Sequence, residues 1–365
     1  MDKKILVKVG IFLTKLSLKF YLPVESLIRK TIFDQFCGGI DEDSCKYVTK
    51  EIFKVNVHSI LDYSVEGKET DEQFDFILKK KLNLIRFASE NKELPFSVFK
   101  PTGIGRFIIW EKISGRTELN VDEKEEWTRV KDRVDKLCYH AYQNDIRLYA
   151  DAEESWIQKA ADDLMEEMMS RYNQEKVLIY NTLQCYRSDR MEYLKSLHEK
   201  AKKQGFKVGV KIVRGAYMEK ENTRAKKHNY TSPICENKEA TDVNYNSAMS
   251  YCLAHLDDIN VFLGTHNEVS NYLALQTIED KNLSLSDQRI WFCQLYGMSD
   301  NISYNLAKIG YNSAKLLPFG PVRDVVPYLL RRAQENTSVK GQTGRELFLL
   351  RKEKRRRKRA SFLNF

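Results

Sequence analysis

Apolar runs of strand length alternate with charged stretches of helical periodicity along the chain after about residue 50. Stretches such as 122–145 and 189–205 place their apolar residues at helical spacing and separate one apolar run from the next. The candidate strands are 55–64, 96–102, 146–153, 177–186, 207–217, 260–267, 290–297 and 312–320. Eight strands that alternate with helices predict an α/β fold of the (β/α)8-barrel type.

The two ends of the chain differ from this alternating part. Residues 1–50 predict an N-terminal helical arm, residues 51–345 the barrel, and residues 346–365 a basic C-terminal tail. The first twenty residues mix lysines with apolar residues and carry no small-residue cleavage site. This pattern favours an amphipathic helix packed on the fold over a secretory signal, with a helix lying on a membrane as the alternative.

The formal net charge of +9 is concentrated in one segment. Residues 351–359 hold eight cations and one anion, so +7 of the +9 lies there and the rest of the chain carries +2. A basic groove across the body, and with it a nucleic-acid partner, is therefore not expected. Such a charge block is more often a solvated chain end than a binding site.

Cysteines and histidines show no spacing that is typical of a metal site. The seven cysteines lack CxxC pairs, and the six histidines lack HExxH or paired ligand spacing. We expect no metal, no disulfide framework and a reducing compartment. Cys185 and Cys293 fall inside candidate strands and are interpreted as small core residues.

Polar side chains gather where the apolar runs end. The carboxyl ends of the strands form the active-site face in barrels of this type, so these side chains are expected to converge. The group contains acids, cations, amides, hydroxyls and a histidine: Asp62, Glu66, Lys100, Asp151, Glu153, Glu154, Gln184, Lys211, Arg214, Tyr217, Thr265, His266, Asn267, Gln294 and Lys315. Strand-end polarity alone does not explain so many chemically capable groups, and the pattern indicates an enzyme.

A helical stretch after the last strand adds two arginines. Tyr328, Arg331, Arg332 and Glu335 are spaced i, i+3, i+4 and i+7, which places them on one stripe of the helix. An arginine pair held in this way suits the bidentate binding of a small carboxylate or phosphate.

Two further patterns in the sequence bear on other activities. The stretch 103–107 opens like a dinucleotide-binding glycine motif, but Ile108 stands where the third glycine belongs. The acids at 151–154, with Glu66 as a second acid, leave glycoside hydrolysis open. The scarcity of tryptophan at the strand ends makes that activity the weakest alternative.

Several longer motifs resemble the proline dehydrogenase (proline oxidase) family. The motifs are KIVRGAY (211–217), THNE (265–268), LYGMSD (295–300) and PFGPVRDVVPYLLRRAQEN (318–336), and the likeness runs from about residue 38 to residue 336. It implies a distorted (β/α)8 barrel with a C-terminal helix over its mouth and with FAD bound there. It also implies oxidation of L-proline to Δ1-pyrroline-5-carboxylate, with hydride transfer to flavin N5 and electron transfer to a quinone or similar acceptor.

The resemblance also assigns roles to residues at the substrate side. Arg331 and Arg332 would bind the substrate carboxylate together with Lys100, and Tyr217 and Tyr328 would enclose the ring. Asp151 matches the essential aspartate of the family and is expected to pair with Lys100. A second layer would hold the arginines in place, formed by Glu335 with Glu66 or Asp62.

At the cofactor side, Lys211 takes the position of the cation near flavin N5 and is the second predicted catalytic residue. The other predicted cofactor contacts are Ala152, Gln184, Val213, Arg214, Gly215, Thr265, His266 and Asn267.

One position departs from the family pattern. The family places a tyrosine two residues before the proline of its last strand, and this chain has Leu316 there. The loss of a phenol predicts altered discrimination between proline and 4-hydroxyproline, so hydroxyproline dehydrogenase is an alternative activity. A flavin-binding barrel without activity, acting as a binding module through its basic tail, is an alternative of another class.

The resemblance extends to partners and location. We expect no aldehyde dehydrogenase domain after the tail, and a separate pyrroline-5-carboxylate dehydrogenase to take the product. We expect a cytoplasmic location with peripheral contact at the inner face of the membrane, or a mitochondrial one if the source is eukaryotic.

Overall fold

The computed structural model describes residues 25–64, 69–338, 348 and 351–357, with residues 26–27 and 333–338 as backbone only. Glu66 and the side chain of Glu335 therefore lie outside the described part of the chain, as do residues 1–24 of the expected arm and most of the expected tail. In the described part, no helix combines the length and the apolar character that crossing a lipid bilayer requires.

Eight parallel strands form the centre of the fold, as predicted. They are β1 (Val57–Tyr63), β2 (Phe96–Phe99), β3 (Arg147–Ala150), β4 (Ile179–Gln184), β5 (Val208–Val213), β6 (Ile259–Gly264), β7 (Ile290–Leu295) and β8 (Ser313–Phe319). The pairing order is β1-β8-β7-β6-β5-β4-β3-β2, and the two end strands β1 and β2 lie next to each other. Seven strands lie inside the predicted runs, whereas β6 begins one residue earlier.

Helices surround this barrel. They are α1 (Glu42–Phe53), α2 (Asp71–Ser89), α3 (Phe107–Ser114), α4 (Val121–Gln143), α5 (Ser155–Tyr172), α6 (Arg190–Gln204), α7 (Met218–His228), α8 (Lys238–Ala254), α9 (Glu268–Asp280), α10 (Asp300–Ile309) and α11 (Val322–Ser338). Reciprocal capping boxes start α1, α2 and α4, where the cap residues are Asp41, Thr70 and Asn120. Helix α1 crosses the predicted boundary between residues 50 and 51, and the division into arm, barrel and tail stays a prediction.

Aromatic side chains fill the lower part of the barrel. Phe96, Tyr149, Phe262 and Trp291 pack within one buried cluster, with ring centroids of Phe96 and Phe262 4.9 Å apart. The guanidinium of Arg147 lies 5.5 Å from the Phe96 ring and 5.6 Å from the Trp291 ring. This packing fills the interior below the carboxyl ends of the strands.

A separate apolar cluster supports the C-terminal helix. A helical segment precedes α1 and consists of Glu25–Ile28, the π-helical turn Arg29–Phe33 and Asp34–Phe36. Its residues Phe33 and Phe36 belong to the same buried cluster as Val325 and Leu329 of α11. The described part of the arm therefore holds α11 in place at the mouth of the barrel.

Candidate active site

A cavity of about 420 Å³ opens at the carboxyl ends of the strands. Every residue for which the resemblance implies a catalytic, substrate or cofactor contact lines it: Lys100, Asp151, Ala152, Gln184, Lys211, Val213, Arg214, Gly215, Tyr217, Thr265, His266, Asn267, Leu316, Tyr328, Arg331 and Arg332. Of the other strand-end residues grouped with them, Glu153, Glu154 and Lys315 do not line it. A wider, shallow depression of about 540 Å³ beside the end of α7 is lined by one lysine and otherwise by uncharged residues. The cavity at the barrel mouth is therefore the candidate site.

Asp151 is bound by two lysines at the centre of the cavity. Its Oδ2 accepts a hydrogen bond of 2.8 Å from Lys100 Nζ, and its Oδ1 accepts one of 2.6 Å from Lys211 Nζ. Burial alone would raise the pKa of Asp151, but the two lysine charges and their hydrogen bonds lower it below its usual value. Asp151 is thus held as a carboxylate at neutral pH. The pair with Lys100 is present as predicted, whereas the bond to Lys211 was not foreseen.

Asp62 lies behind Lys100 and is almost fully buried, with 2% exposure. Its carboxylate accepts from Ser64 Oγ at 2.5 Å and from Lys81 Nζ at 3.1 Å, and it lies 3.6 Å from Lys100 Nζ. The expectation that Asp62 would hold the arginines of α11 is wrong, because its contacts are with these lysines and the serine. Lys81, which sequence reasoning missed, follows the apolar spacing of α2.

Arg214 connects the end of β5 to helices α8 and α9. Its Nε donates to Asp242 Oδ1 at 2.7 Å, Nη1 to Thr265 Oγ1 at 2.6 Å and Nη2 to Ser270 Oγ at 2.9 Å. The guanidinium also lies 4.4 Å from the centre of the Tyr245 ring. These contacts fix Arg214 along one wall of the cavity. Asp242 and Tyr245 lie on α8, far from Arg214 in sequence, so no local pattern predicted them.

The loop that carries Gly215 and Tyr217 leads into α7, which is attached to the start of α5. Glu221, which is fully buried, accepts from the backbone N–H of Ser155 at 2.7 Å and from its hydroxyl at 2.6 Å. Helix α5 begins at Ser155, and its N-cap residue Glu154 makes no capping bond of its own. Glu221 therefore caps α5 from another element and holds the loop after β5 against the loop after β3.

Amide and hydroxyl groups on the ends of β4, β6 and β7 complete this wall. Gln184 Nε2 donates to the backbone oxygen of Glu153 at 2.6 Å, and Gln294 Nε2 donates to that of Thr265 at 3.0 Å. Lys315 is different from the other strand-end residues. It is 1% exposed, donates to Met298 O at 2.5 Å and pairs with Asp300 at 2.7 Å. It therefore ties β8 to the loop before α10 and does not line the cavity.

Helix α11 brings Tyr328, Arg331 and Arg332 to the cavity that Lys100 and Lys211 also line. Tyr328 is 7% and Arg332 9% exposed, and the Arg332 guanidinium lies 5.1 Å from the centre of the Tyr328 ring. The predicted stripe of the helix thus faces the mouth of the barrel. Its fourth member, Glu335, stays a prediction.

His266 is held neutral by its surroundings. Its Nδ1 lies 2.9 Å from Ser299 Oγ. Burial, followed by the positive charges of Lys315, Arg332 and Arg214, lowers the pKa of His266 to about 3. A neutral imidazole at this place can accept or donate a hydrogen bond without adding a further cation to the cavity.

The depressed pKa of His266 predicts a loss of stability in mild acid. Unfolded histidine titrates near pH 6.5, so its contribution is present above that pH and is lost as the pH falls toward 3. Because the ring is partly exposed, we expect a loss of only about 1 kcal/mol between pH 7 and pH 5 relative to His266→Asn. Denaturant unfolding of both proteins at both pH values measures this difference.

The comparison of the wild type with His266→Asn also cancels the effect of a second titrating group, Glu153. Burial raises the pKa of Glu153 to about 7, so the stability contributed by this group is lost as the pH rises through that value. This effect is shared by wild type and variant and cancels in the difference. His228→Asn, which changes an exposed histidine, is the matched control. A wild type and a His266→Asn variant that lose stability in parallel would contradict the prediction.

The residues present fit a flavin. One wall of the cavity combines the cations of Lys211 and Arg214 with amide and imidazole groups, which suits an anionic pyrophosphate and the polar edge of a flavin ring. Tyr149 and Phe262 form an aromatic floor below Lys211, whose Nζ lies 4.0 Å from the centre of the Tyr149 ring. A flat, polar, partly anionic ring matches this mixture.

The barrel and the charged cavity at the carboxyl ends of its strands define an enzyme of the (β/α)8 class. The sequence model of the family described as proline dehydrogenase matches residues 46–345. The chain belongs to that family. This result confirms the predicted family and the predicted oxidoreductase class.

Known proteins similar to this chain agree with that assignment. The carbapenem antibiotics biosynthesis protein CarD of Pectobacterium carotovorum is 34% identical over 332 residues, which cover 91% of this chain and 85% of that protein. Mitochondrial proline dehydrogenase 1 of Homo sapiens is 40% identical over 245 residues, or 66% of this chain and 41% of that protein. The chain therefore matches less than half of the human protein's length.

A solved structure shows the same fold. Proline utilization A from Bdellovibrio bacteriovorus, described as inactivated by N-propargylglycine, superposes with a TM-score of 0.75 at 22% identity. The match covers 87% of this chain and 34% of that chain. It confirms the distorted (β/α)8 barrel.

Proposed function

We propose that this protein oxidises L-proline to Δ1-pyrroline-5-carboxylate with FAD as its bound cofactor, and that a quinone-type acceptor takes the electrons. The observation that carries the proposal is that two pairs of cationic side chains, one of lysines and one of arginines, line the same cavity. Asp151 holds Lys100 and Lys211 on the barrel side, and Arg331 and Arg332 enter from α11. Membership of the proline dehydrogenase family supports this activity.

The cationic groups suit a small amino acid with one carboxylate. Arg331 and Arg332 can bind a carboxylate through paired N–H donors, and Lys100 adds a point charge in the same cavity. The rings of Tyr217 and Tyr328 line the space between these groups and limit its size. Binding at several points fixes the ring of the substrate in one orientation, which is a large part of the rate enhancement for a two-reactant step.

The redox chemistry would be supplied by a bound flavin, as acceptor of the hydride from the ring carbon beside the proline nitrogen. On the protein side, Lys211 places a fixed positive charge at the cofactor wall, and Asp151 keeps its ammonium group in position. The low pKa of Asp151 makes it a poor proton acceptor, so its role is to orient Lys100 and Lys211. Gln184, Thr265, His266 and Asn267 would hold the cofactor along this wall.

An absorbance experiment tests the cofactor and the reaction together. The visible spectrum of the purified protein is recorded anaerobically before and after addition of L-proline and, in a fresh sample, of trans-4-hydroxy-L-proline. A flavin spectrum that proline bleaches supports the proposal. A flavin that neither compound bleaches would favour the binding module without activity. A colourless protein that takes up no added FAD would contradict the assignment of the cofactor.

The alternative substrate rests on Leu316, which is 8% exposed and lines the cavity beside Tyr149, Phe262 and Cys293. Leucine leaves more room near the substrate ring than the tyrosine of the family pattern. We expect Leu316→Tyr to raise the preference for proline over 4-hydroxyproline by about tenfold, because the added ring crowds the hydroxyl. The ratio of the two kcat/KM values measures it.

Leu316→Phe separates shape from polarity in the same experiment, since it adds the ring without the phenol oxygen. If Leu316→Tyr and Leu316→Phe both leave the ratio unchanged, Leu316 does not face the ring and the alternative substrate loses its support.

The remaining partners and the location are also proposals. They comprise the quinone acceptor, peripheral contact with a membrane, and a separate pyrroline-5-carboxylate dehydrogenase that takes the product. Several relatives named mitochondrial proline dehydrogenase are consistent with a mitochondrial setting in a eukaryote.

A further inference from the structure

Helix α2 carries a lysine on its buried face. Its buried residues Phe74, Ile77, Leu78, Lys81, Leu84, Ile85 and Ala88 follow helical spacing, and Lys81 is 3% exposed. A buried ammonium group is costly unless it is paired, and Lys81 pairs with Asp62 Oδ1 at 3.1 Å. Lys81 does not line the cavity. It is therefore a buried charge that the proposed chemistry does not use directly.

Lys81 is the outer end of a row of alternating charges. From α2 to the cofactor wall the row runs through Lys81, Asp62, Lys100, Asp151 and Lys211, with successive contacts of 3.1, 3.6, 2.8 and 2.6 Å. Three cations and two carboxylates leave one positive charge in excess. The side chains are mostly buried, so water screens these charges weakly.

The position of Lys100 in this row explains what Lys81 can do. Lys100 lies between two carboxylates, Asp62 and Asp151, and either can neutralise its charge. Lys81 offsets the charge of Asp62 from the far side. Without Lys81, Lys100 would be the remaining lysine beside Asp62 in this row. The negative charge of Asp62 would then weaken the positive field that Lys100 directs into the cavity.

We propose that Lys81 is a positioning residue that offsets the charge of Asp62 and so keeps the charge of Lys100 available to the carboxylate of the substrate. This inference rests on the proposed function, because it takes the ligand to be a small carboxylate. It makes Lys81 a specificity element that acts through two intervening groups without touching the substrate. A purely structural Lys81 would instead affect every ligand of the cavity alike.

Two matched ligands separate these roles. Tetrahydrofuran-2-carboxylate has the size of proline and carries its carboxylate, and tetrahydrofuran-2-carboxamide is its uncharged counterpart. Calorimetric titration of the flavin-loaded wild type with both gives the preference for the carboxylate. A wild type that neither binds the carboxylate nor is reduced by proline would contradict the proposed function itself, independently of Lys81.

Lys81→Met is expected to raise the Kd of the carboxylate about tenfold and to change that of the amide less than about twofold. The double variant Lys81→Met/Asp62→Asn removes one charge of each sign and should restore most of the lost preference. Lys81→Arg, which keeps the charge, should bind like the wild type. Lys79→Met changes an exposed lysine of the same helix and is the surface control.

The inference is overturned if Lys81→Met leaves the carboxylate-to-amide preference unchanged, or if the double variant loses more of it than the single one. Should Lys81→Met not fold, the double variant and Asp62→Asn carry the test. Asp62→Asn removes the anion behind Lys100, so it should not lower the preference for the carboxylate. A lower preference in Asp62→Asn would then overturn the inference.

Discussion

Asp151→Asn is expected to lower kcat/KM for L-proline by about 100-fold or more, because two ammonium groups lose their shared anion. Lys100 and Lys211 are bound at 2.8 and 2.6 Å by different oxygens of this carboxylate. Asparagine keeps the shape of the side chain but cannot balance either charge. The loss is therefore expected mainly in the rate of flavin reduction, measured anaerobically at saturating proline.

A second readout separates this effect from unfolding. Removal of the negative charge beside Lys211 makes the cofactor wall more positive, so the midpoint potential of the bound flavin is expected to rise. Asp163→Asn is the control, because Asp163 pairs with Lys159 on the exposed face of α5. The prediction fails if Asp151→Asn reduces its flavin with proline at the wild-type rate.

The barrel could be predicted because its signal is local and repeated. Each strand is a short apolar run because it is buried between the barrel interior and the surrounding helices, and each helix has an apolar stripe of its own. Eight repeats of this pattern are typical of one fold class. The limits of the strands were less certain. Runs such as 207–217 continue past the strand into polar site residues, and β5 ends at Val213.

The site was predictable as a set of residues, and the resemblance predicted one of its contacts, that of Asp151 with Lys100. Motifs in the chain identified Asp151, Lys211 and Arg214, whereas their partners come from other elements and are brought together only by folding. Asp242 on α8 holds Arg214, and Glu221 caps a helix 66 residues earlier in the chain. No local pattern encodes such pairs.

Lys81 is a different case, because the sequence contains a pattern that indicates its burial. It lies in a run of three lysines, 79–81, but among these only Lys81 falls on the apolar stripe of α2. A charged residue at a core position of an amphipathic helix indicates a buried partner. Lys315 is the opposite case, since its position at a strand end predicts a site residue, whereas in the structure it binds Met298 O and Asp300.

Gly215→Ala is expected to weaken flavin binding strongly, because neither the backbone at residue 215 nor its neighbour Tyr186 can readily adjust to an added side chain. Gly215 has a φ of +130°, a backbone conformation that side chains with a Cβ rarely adopt. An added Cβ would also lie 2.5 Å from Cδ1 of the Tyr186 ring. Tyr186 is buried and its N–H donates to Arg214 O at 2.6 Å, so the ring is not free to move away.

The strand end must therefore shift, and it carries Val213 and Arg214 of the cofactor wall. We expect the Kd of FAD to rise more than about tenfold and the free energy of unfolding of the apoprotein to fall by about 2–4 kcal/mol. Fluorescence titration of the apoprotein and denaturant unfolding measure the two effects. Gly103→Ala is the matched control, since its nearest neighbour would be Ile77 Cγ2 at 3.8 Å. If Gly215→Ala binds FAD as tightly as this control, the turn after β5 does not shape the cofactor wall, and the flavin must be held elsewhere in the cavity.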